Sequence, residues 1–452
     1  MKLLLLRPYY GINISGDMMG DLGNAEYMPY VFPDLPLIYA ATIAKNDASV
    51  ELDVIDANAE KLLPKDTIKR MTAKYDVIIM KAAAPTVKCD IDFARYLKNN
   101  NYTSKMVFAG HVAKLLKDWL QANVPEIDDI SEVPIEHYVN NMLNTKLKAL
   151  SLDEFPVPDY TLFPYKNYVS HTGEMRACLN MSRGCAVGCA YCPYAAYYGR
   201  EFEFRSLDKV IEDIRFLLSL GFKSIQFRDQ FFTVNRQRVL ELCSRIEAQG
   251  LKFDWFCETR LESLDTELID AMVKAGLKFI FFGVESANED ILQSYNRPAC
   301  GVKKTKMLIE YLNNKNVRTL AFYIVGFPDD TWDTIQSTYN LAMKLGSMIS
   351  DFFIYEPSLT DGEFRSLCPD MEITPDIFVP FENMMNVNVS KNFTIEQLKD
   401  FKNLLKFLYD VNSHEPYELK DAFETIYNAR NTYLSRVDSL RNKLEKVSIM
   451  EI

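Results

Sequence analysis

No stretch of this 452-residue chain is apolar for long enough to cross a bilayer, which takes about twenty consecutive apolar residues. Runs such as 279–284 are strand-sized, and the opening Met1-Lys2-Leu3-Leu4-Leu5-Leu6-Arg7-Pro8 is interrupted too soon for a signal peptide. Basic charge is short: 51 Lys and Arg against 62 Asp and Glu give a net charge of −11, which disfavours a nucleic-acid partner. Low-complexity segments and short-period repeats are lacking. The nine cysteines are an odd count. With no secretory signal, a disulfide framework is disfavoured and a cytoplasmic location is expected. The glycine-dotted stretch 8–23 has neither G-x-G-x-x-G nor the Gly-Lys-Ser/Thr ending of a P-loop, so it reads as a flexible loop.

What is present is ordinary in bulk, 48% hydrophobic and 25% charged, the balance of a globular enzyme of two to four domains. Strand-like and helix-like patterns alternate over the first 120 residues, with strands expected at 2–7, 52–55, 77–80 and 105–109 and helices at 34–45, 64–73 and 91–99. That alternation predicts an open parallel sheet. Its ligand loops would follow the strands, at 8–23, 56–61, 82–88 and 110–115. A proline-punctuated stretch, Leu152-Asp153-Glu154-Phe155-Pro156-Val157-Pro158-Asp159-Tyr160, reads as an interdomain linker. The rhythm restarts with strands at 177–181, 224–228, 254–258, 279–285, 319–325 and 351–355, separated by five helical patterns. Six strands suggest an incomplete (β/α) barrel, whose chemistry collects at the carboxyl ends of its strands. Helices are expected at 394–409 and 417–446.

Chemistry concentrates in Ser182-Arg183-Gly184-Cys185-Ala186-Val187-Gly188-Cys189-Ala190-Tyr191-Cys192, a C-x3-C-x2-C cluster after the first barrel strand. A closed zinc site takes four ligands, and a cubane iron–sulfur cluster ordinarily takes four thiolates. Three thiolates on a cubane leave one iron open to a substrate or cofactor. The competing reading is a zinc knuckle completed by Cys178, His171 or Cys257.

The cysteine spacing and the barrel together resemble the radical S-adenosylmethionine superfamily, over residues 175–363. The resemblance implies that Cys185, Cys189 and Cys192 hold a [4Fe–4S] cluster and that S-adenosylmethionine chelates the fourth iron. It implies Asp229, in Gln226-Phe227-Arg228-Asp229-Gln230, for the methionine amino group, and Arg260, in Cys257-Glu258-Thr259-Arg260, for its carboxylate. Glu285 and Ser286 would face the ribose, while Gly326, in Tyr323-Ile324-Val325-Gly326-Phe327-Pro328, and Tyr191 would face adenine.

The first domain looks like a cobalamin-binding domain, through Phe32-Pro33-Asp34-Leu35-Pro36, Val54-Ile55-Asp56-Ala57-Asn58, Tyr75-Asp76-Val77-Ile78-Ile79 and Val107-Phe108-Ala109-Gly110-His111. Pro8, Asp56, Asn58, Thr86, Gly110 and His111 are the corrin contacts this implies. The Asp-x-His-x-x-Gly of histidine-ligating cobalamin domains is missing, since the first loop begins Arg7-Pro8-Tyr9-Tyr10-Gly11. The resemblance therefore implies cobalamin with no histidine on cobalt.

Together the matches imply a division into a Rossmann-like cobalamin domain (1–150), a linker (151–175), a radical barrel (176–365) and a helical region closing the active site (366–452). They imply C-methylation of an unactivated carbon: a 5′-deoxyadenosyl radical takes a hydrogen atom and methylcobalamin supplies the methyl. A small-molecule or peptide substrate and an electron donor such as flavodoxin or ferredoxin are expected. Ring formation or rearrangement without methyl transfer is the alternative, as is a barrel enzyme whose first domain has lost cobalamin. A non-catalytic cobalamin or metal sensor fits the ordered strand-end motifs poorly. A methylthiotransferase would need a second cysteine set in the first domain, where only Cys89 lies.

Overall fold

The computed structural model describes residues 1–14, 31–71, 74–143, 150–170, 173–192, 194, 198–359, 362–381 and 384–410. Five strands, β1 (Lys2–Arg7), β2 (Glu51–Asp56), β3 (Val77–Lys81), β4 (Lys105–Ala109) and β5 (Asp129–Ile130), form a first sheet in the order β2-β1-β3-β4-β5. All its pairs are parallel. Apolar runs such as Leu3-Leu4-Leu5-Leu6 suit it, because both faces of a parallel sheet are covered. Leu3, Leu5, Ile79 and Val107 face α1 (Leu35–Lys45) and α2 (Ile135–Met142), while Leu4, Leu6, Ile78 and Phe108 face the helices at Val87–Asn99 and His111–Leu115. Asp34 starts α1 by accepting from Leu37 N at 3.1 Å, which satisfies a first-turn donor. Strand order reverses between β1 and β3, so the ligand crevice of this sheet opens there.

The second sheet holds six parallel strands in chain order: β6 (Arg176–Leu179), β9 (Ser224–Phe227), β10 (Asp254–Thr259), β11 (Leu277–Glu285), β12 (Arg318–Val325) and β13 (Ile349–Ile354). Between the first two of these, β7 (Ser182–Arg183) and β8 (Glu203–Phe204) make an antiparallel ribbon carrying the cysteine loop. The barrel is open, with β6 and β13 as its edges. Outward residues such as Ile225, Trp255, Ile280 and Phe282 share one core with the surrounding helices and with residues 150–168. That stretch closes the β6 edge, where Tyr160 Oη donates to Cys178 O at 2.7 Å and accepts from Cys178 N at 2.9 Å. A helix at Ile395–Asp410 packs against the β13 edge.

Differences from the sequence reading have physical causes. Two of the expected ligand loops contain short helices, Ala57–Glu60 and His111–Leu115. The strand β5 and the helix α2 were not expected; the strand is only two residues long, while the helix does carry Ile135, Tyr138, Val139 and Met142 at helical spacing, in a pattern of just eight residues. Among the described residues, the expected helical region after residue 365 holds only the end of the short helix Glu363–Leu367 and one 3-10 turn, Pro375–Ile377, before residue 395. Phe364, Ile377, Phe378, Met385 and Val387 bury into the core of the first sheet, so this segment returns to the first domain before the helix at Ile395–Asp410 reaches the barrel. The helix expected at 417–446 lies outside the described residues. No helix among the described residues is long and apolar enough to cross a membrane.

Candidate active site at the barrel mouth

Gly184 opens the cysteine loop with φ +81°, and a Cβ there would run into the backbone carbonyl of Glu201 on the returning chain. Only glycine lets the chain pass so close. Beneath the loop, Asp229 accepts from Met181 N at 3.0 Å and Ser182 Oγ at 2.6 Å. Burial raises its carboxyl to about 6 against those hydrogen bonds. In front of the loop, Arg183 is buried and paired with Glu136 of α2, and its guanidinium lies over Phe155, Tyr198 and Tyr39. The ribbon is thus pinned to the first domain.

Cys185, Cys189 and Cys192 are all half-buried and unbridged. Arg260 Nη1 donates to Cys189 Sγ at 3.8 Å, and Cys189 Sγ lies 3.8 Å from Asn296 O. Arg297 follows at once in the chain. Its Nη2 donates to Gly283 O at 2.6 Å, its Nε lies 3.4 Å from Glu285 Oε1, and its Nη1 lies 3.7 Å from Glu262 Oε1. Although nine-tenths buried, that Nη1 has no hydrogen bond among the described residues. Glu262 also pairs with Arg260. Burial pushes the Cys192 thiol up to about 12 and raises Cys189, which Arg297 and Arg260 pull back down. Thiolate formation at this mouth therefore needs cationic partners or a metal.

Glu285 sits at φ 71° where the β11–β12 register slips between Gly283 and Glu285. A non-glycine residue in that conformation is strained by about 1–3 kcal/mol, and such strain collects at functional sites. A Cβ on Gly283 would collide with the Glu285 carboxylate, so the glycine makes room for the Glu285–Arg297 pair. Burial raises the Glu285 carboxyl, opposed chiefly by Arg297. Tyr191 turns its ring into an aromatic cluster, 6.3 Å from Phe327 and 6.4 Å from Tyr295. Deeper in, the concave wall carries Phe256, Phe279, Phe281, Phe322 and Phe353, with Phe279 and Phe281 stacked at 4.4 Å. Glu258 shares this wall, its carboxyl raised by burial to about 7 with Arg228 opposing.

The structure thus gathers Cys189, Tyr191, Arg260 and Glu285, and adds Arg297, Glu262 and Glu258, which the sequence reading missed. The unmatched carboxylate of Glu285 was the available signal, since a buried charge calls for a partner. Three further expected positions are engaged within the fold. Asp229 uses each carboxylate oxygen for one bond under the cysteine loop, and so supports the cysteines. Ser286 Oγ accepts from Asn288 N at 3.1 Å and faces Thr338. Gly326 N donates to Asp330 Oδ2 at 2.8 Å, and Leu398 of the helix at Ile395–Asp410 covers its α-carbon.

The donor set suits a thiolate-held cluster: three half-buried thiols on one loop, flanked by two guanidiniums, one with a nitrogen that makes no hydrogen bond among the described residues. Among the described residues no three or more of His, Cys, Asp and Glu are arranged to hold a single metal ion. Cys178 and Cys257, offered as a fourth zinc ligand, are instead buried in the packed core (1% and 0% exposed). His171 lies outside the described residues.

At the crevice of the first sheet, the expected corrin contacts are turned inward. Asp56 is fully buried, its Oδ1 capping Ala59 N at 3.0 Å and its Oδ2 taking Tyr168 Oη at 2.7 Å and Arg7 Nη1 at 3.3 Å. Asn58 holds the backbone of Ile14, with Nδ2 donating to Ile14 O at 3.1 Å. Thr86 Oγ1 donates to Asp90 Oδ2 at 2.9 Å. His111 is buried and held neutral, its imidazole lowered to about 4 by burial. These four side chains are engaged within the fold in this way. Pro8 and Gly110 remain at the strand ends as backbone, Gly110 with φ 112°. The small run Ala82-Ala83-Ala84 follows β3 at the switch point, where Ala83 packs with Ile12 and Ile14. Arg7 and the Lys81–Asp34 pair form a charged layer beneath it that the sequence reading missed.

Residues 179–342 match the Radical SAM superfamily. The barrel is a radical S-adenosylmethionine domain. An uncharacterised methyltransferase of Pyrococcus horikoshii is 26% identical over 357 residues, 72% of this chain and 76% of its own length. An anaerobic magnesium-protoporphyrin IX monomethyl ester cyclase of Cereibacter sphaeroides is 30% identical over 224 residues. That match takes in 48% of this chain and spans about a third (36%) of the cyclase. Among solved structures, a cobalamin-dependent S-adenosylmethionine radical enzyme, OxsB, with aqua-cobalamin and S-adenosylmethionine bound, superposes with a TM-score of 0.61 at 14% identity, over 76% of this chain and 52% of that one. The radical S-adenosylmethionine domain here therefore follows an open sheet in a shared two-part fold.

Proposed function

We propose that this chain is a cobalamin-dependent radical S-adenosylmethionine C-methyltransferase. The observation that carries the reading is the three-thiol loop opposed by Arg260, Arg297 and Glu285 at the mouth of a radical S-adenosylmethionine barrel. Support for methyl transfer over ring formation comes from length. The match to the methyltransferase takes in 72% of this chain, more than the barrel alone, while the match to the cyclase takes in 48%. Support for cobalamin comes from the crevice at β1 and β3 and from the shared fold of OxsB.

In this reading residues 1–150 hold cobalamin, 151–175 link, and 176–365 hold cluster and substrate. When bound, the cluster supplies the electron that splits S-adenosylmethionine, and cobalamin supplies the methyl group. The chain does the rest. Cys185, Cys189 and Cys192 hold three irons, and Arg260 and Arg297 offer guanidinium N–H groups to a carboxylate. Glu285 offers a buried acceptor to ribose hydroxyls, and the apolar wall of phenylalanines excludes water from a small-molecule or peptide substrate. Flavodoxin or ferredoxin serves as the electron donor. Reconstitution with iron, sulfide and hydroxocobalamin, followed by gel filtration and an absorption spectrum, tests the assignment: a corrin band is expected with the protein, and its absence contradicts the methyl-transfer reading.

A further inference from the structure

An outward groove runs along the helix at Val302–Asn314. Thr305, Leu308, Ile309 and Leu312 pack inward, while Lys303, Lys306, Met307 and Glu310 fall on the outer face by helical spacing. With Val302 and Lys344 they line a groove of about 460 Å³. Val302 and Met307 are 39% and 45% exposed there. The groove is therefore an apolar strip rimmed by cations, Lys303, Lys306 and Lys344, with Glu310 as its one acidic lining residue, 3.9 Å from Lys306. In a chain of net charge −11 such a face is selective, because it attracts what the rest of the surface repels.

Two routes lead inward from the helix that carries this groove to the cysteine loop. Val302 also lines a narrow cleft together with Arg297, Gly283 and Glu262, and the Asn296 carbonyl next to Arg297 lies 3.8 Å from Cys189 Sγ. Lys304 Nζ donates to Glu262 O at 2.9 Å, Glu262 pairs with Arg260, and Arg260 Nη1 reaches Cys189 Sγ at 3.8 Å.

We infer that this lysine-rimmed face docks an acidic one-electron carrier, which delivers its electron to the group held by the three cysteines. The inference rests on the proposed redox role of those cysteines. One electron leaves the reduced carrier, which is oxidised by one unit, and enters the cluster, which is reduced by one. Charge complementarity selects the partner, and the Val302–Met307 strip supplies the apolar centre that a protein contact requires.

The test measures 5′-deoxyadenosine formed by the full-length, iron- and sulfide-reconstituted protein, driven either by flavodoxin hydroquinone or by reduced methyl viologen, a small cation. In K303E/K306E/K344E the flavodoxin-driven rate is expected to fall by about tenfold or more at low ionic strength, with the viologen-driven rate unchanged. K303Q/K306Q/K344Q, which removes charge without adding repulsion, is expected to fall by less. In the unaltered protein, added salt slows the flavodoxin reaction alone. An unchanged flavodoxin rate in the charge-reversed protein, or equal loss with both reductants in the neutralised one, overturns the docking face. No cleavage by the unaltered protein with either reductant overturns the redox role of the cysteines, and the docking face with it.

Discussion

Asp229 links the barrel to the cysteine loop through one carboxylate, bonded to Met181 N and Ser182 Oγ. Burial raises its carboxyl from 3.8 to about 6. The fold therefore binds this proton more tightly than the unfolded chain does. Asp229 contributes stability that is complete below its unfolded value and is lost as pH rises through about 6. In cluster-free protein, Asp229→Asn should remove on the order of 2 kcal/mol of the stability change between pH 4 and pH 7, read from urea midpoints across that range. Identical pH slopes for parent and variant would contradict it. The cysteines, Arg260 and Glu285 were legible as residues because their types and order carry the chemistry. Arg297 was not, because nothing in Tyr295-Asn296-Arg297-Pro298 marks it; only the turn after Glu289–Ser294 brings it back to Gly283 and Glu285.

The linker is held as an element by Arg205, which is fully buried with Asp213 at 2.6 Å and donates to Leu152 O at 2.9 Å and Phe155 O at 3.0 Å. Removing one member of a buried pair strands the other charge. Arg205→Ala should therefore cost about 3–5 kcal/mol, seen as a lower urea midpoint; a loss below about 1 kcal/mol would show that the linker is anchored by its apolar residues. The alternating strands and helices were legible from periodicity, since parallel strands buried on both faces read as apolar runs. Strands β1 and β4 match the expected bounds, and β6, β9 and β10 shift by a residue or two at their ends. The segment around 364–387 was not legible. Its burial against the first sheet comes from partners far away in sequence, such as Pro85 O accepting from Phe381 N at 2.9 Å, and no local period records such contacts.

Across the whole molecule, the first sheet and the cysteine ribbon meet at the buried Arg183–Glu136 pair, 5% and 0% exposed, with Tyr39 and Phe155 around it. A ligand seated on the first sheet therefore shares a rigid frame with the cysteines. Arg183→Met and Glu136→Leu should each cost about 3–5 kcal/mol, and the double variant less than their sum, as urea unfolding of all four proteins would show. Strict additivity would mean that the two domains are not joined through this pair. The same frame sets the cysteine loop beside Arg260, Arg297 and Glu285, which is the geometry on which the proposed activity depends. The most direct test is 5′-deoxyadenosine release from S-adenosylmethionine by anaerobic, iron- and sulfide-reconstituted protein beside its Cys189→Ala variant. The account predicts release by the parent and none above background by the variant; undiminished release by Cys189→Ala would contradict it.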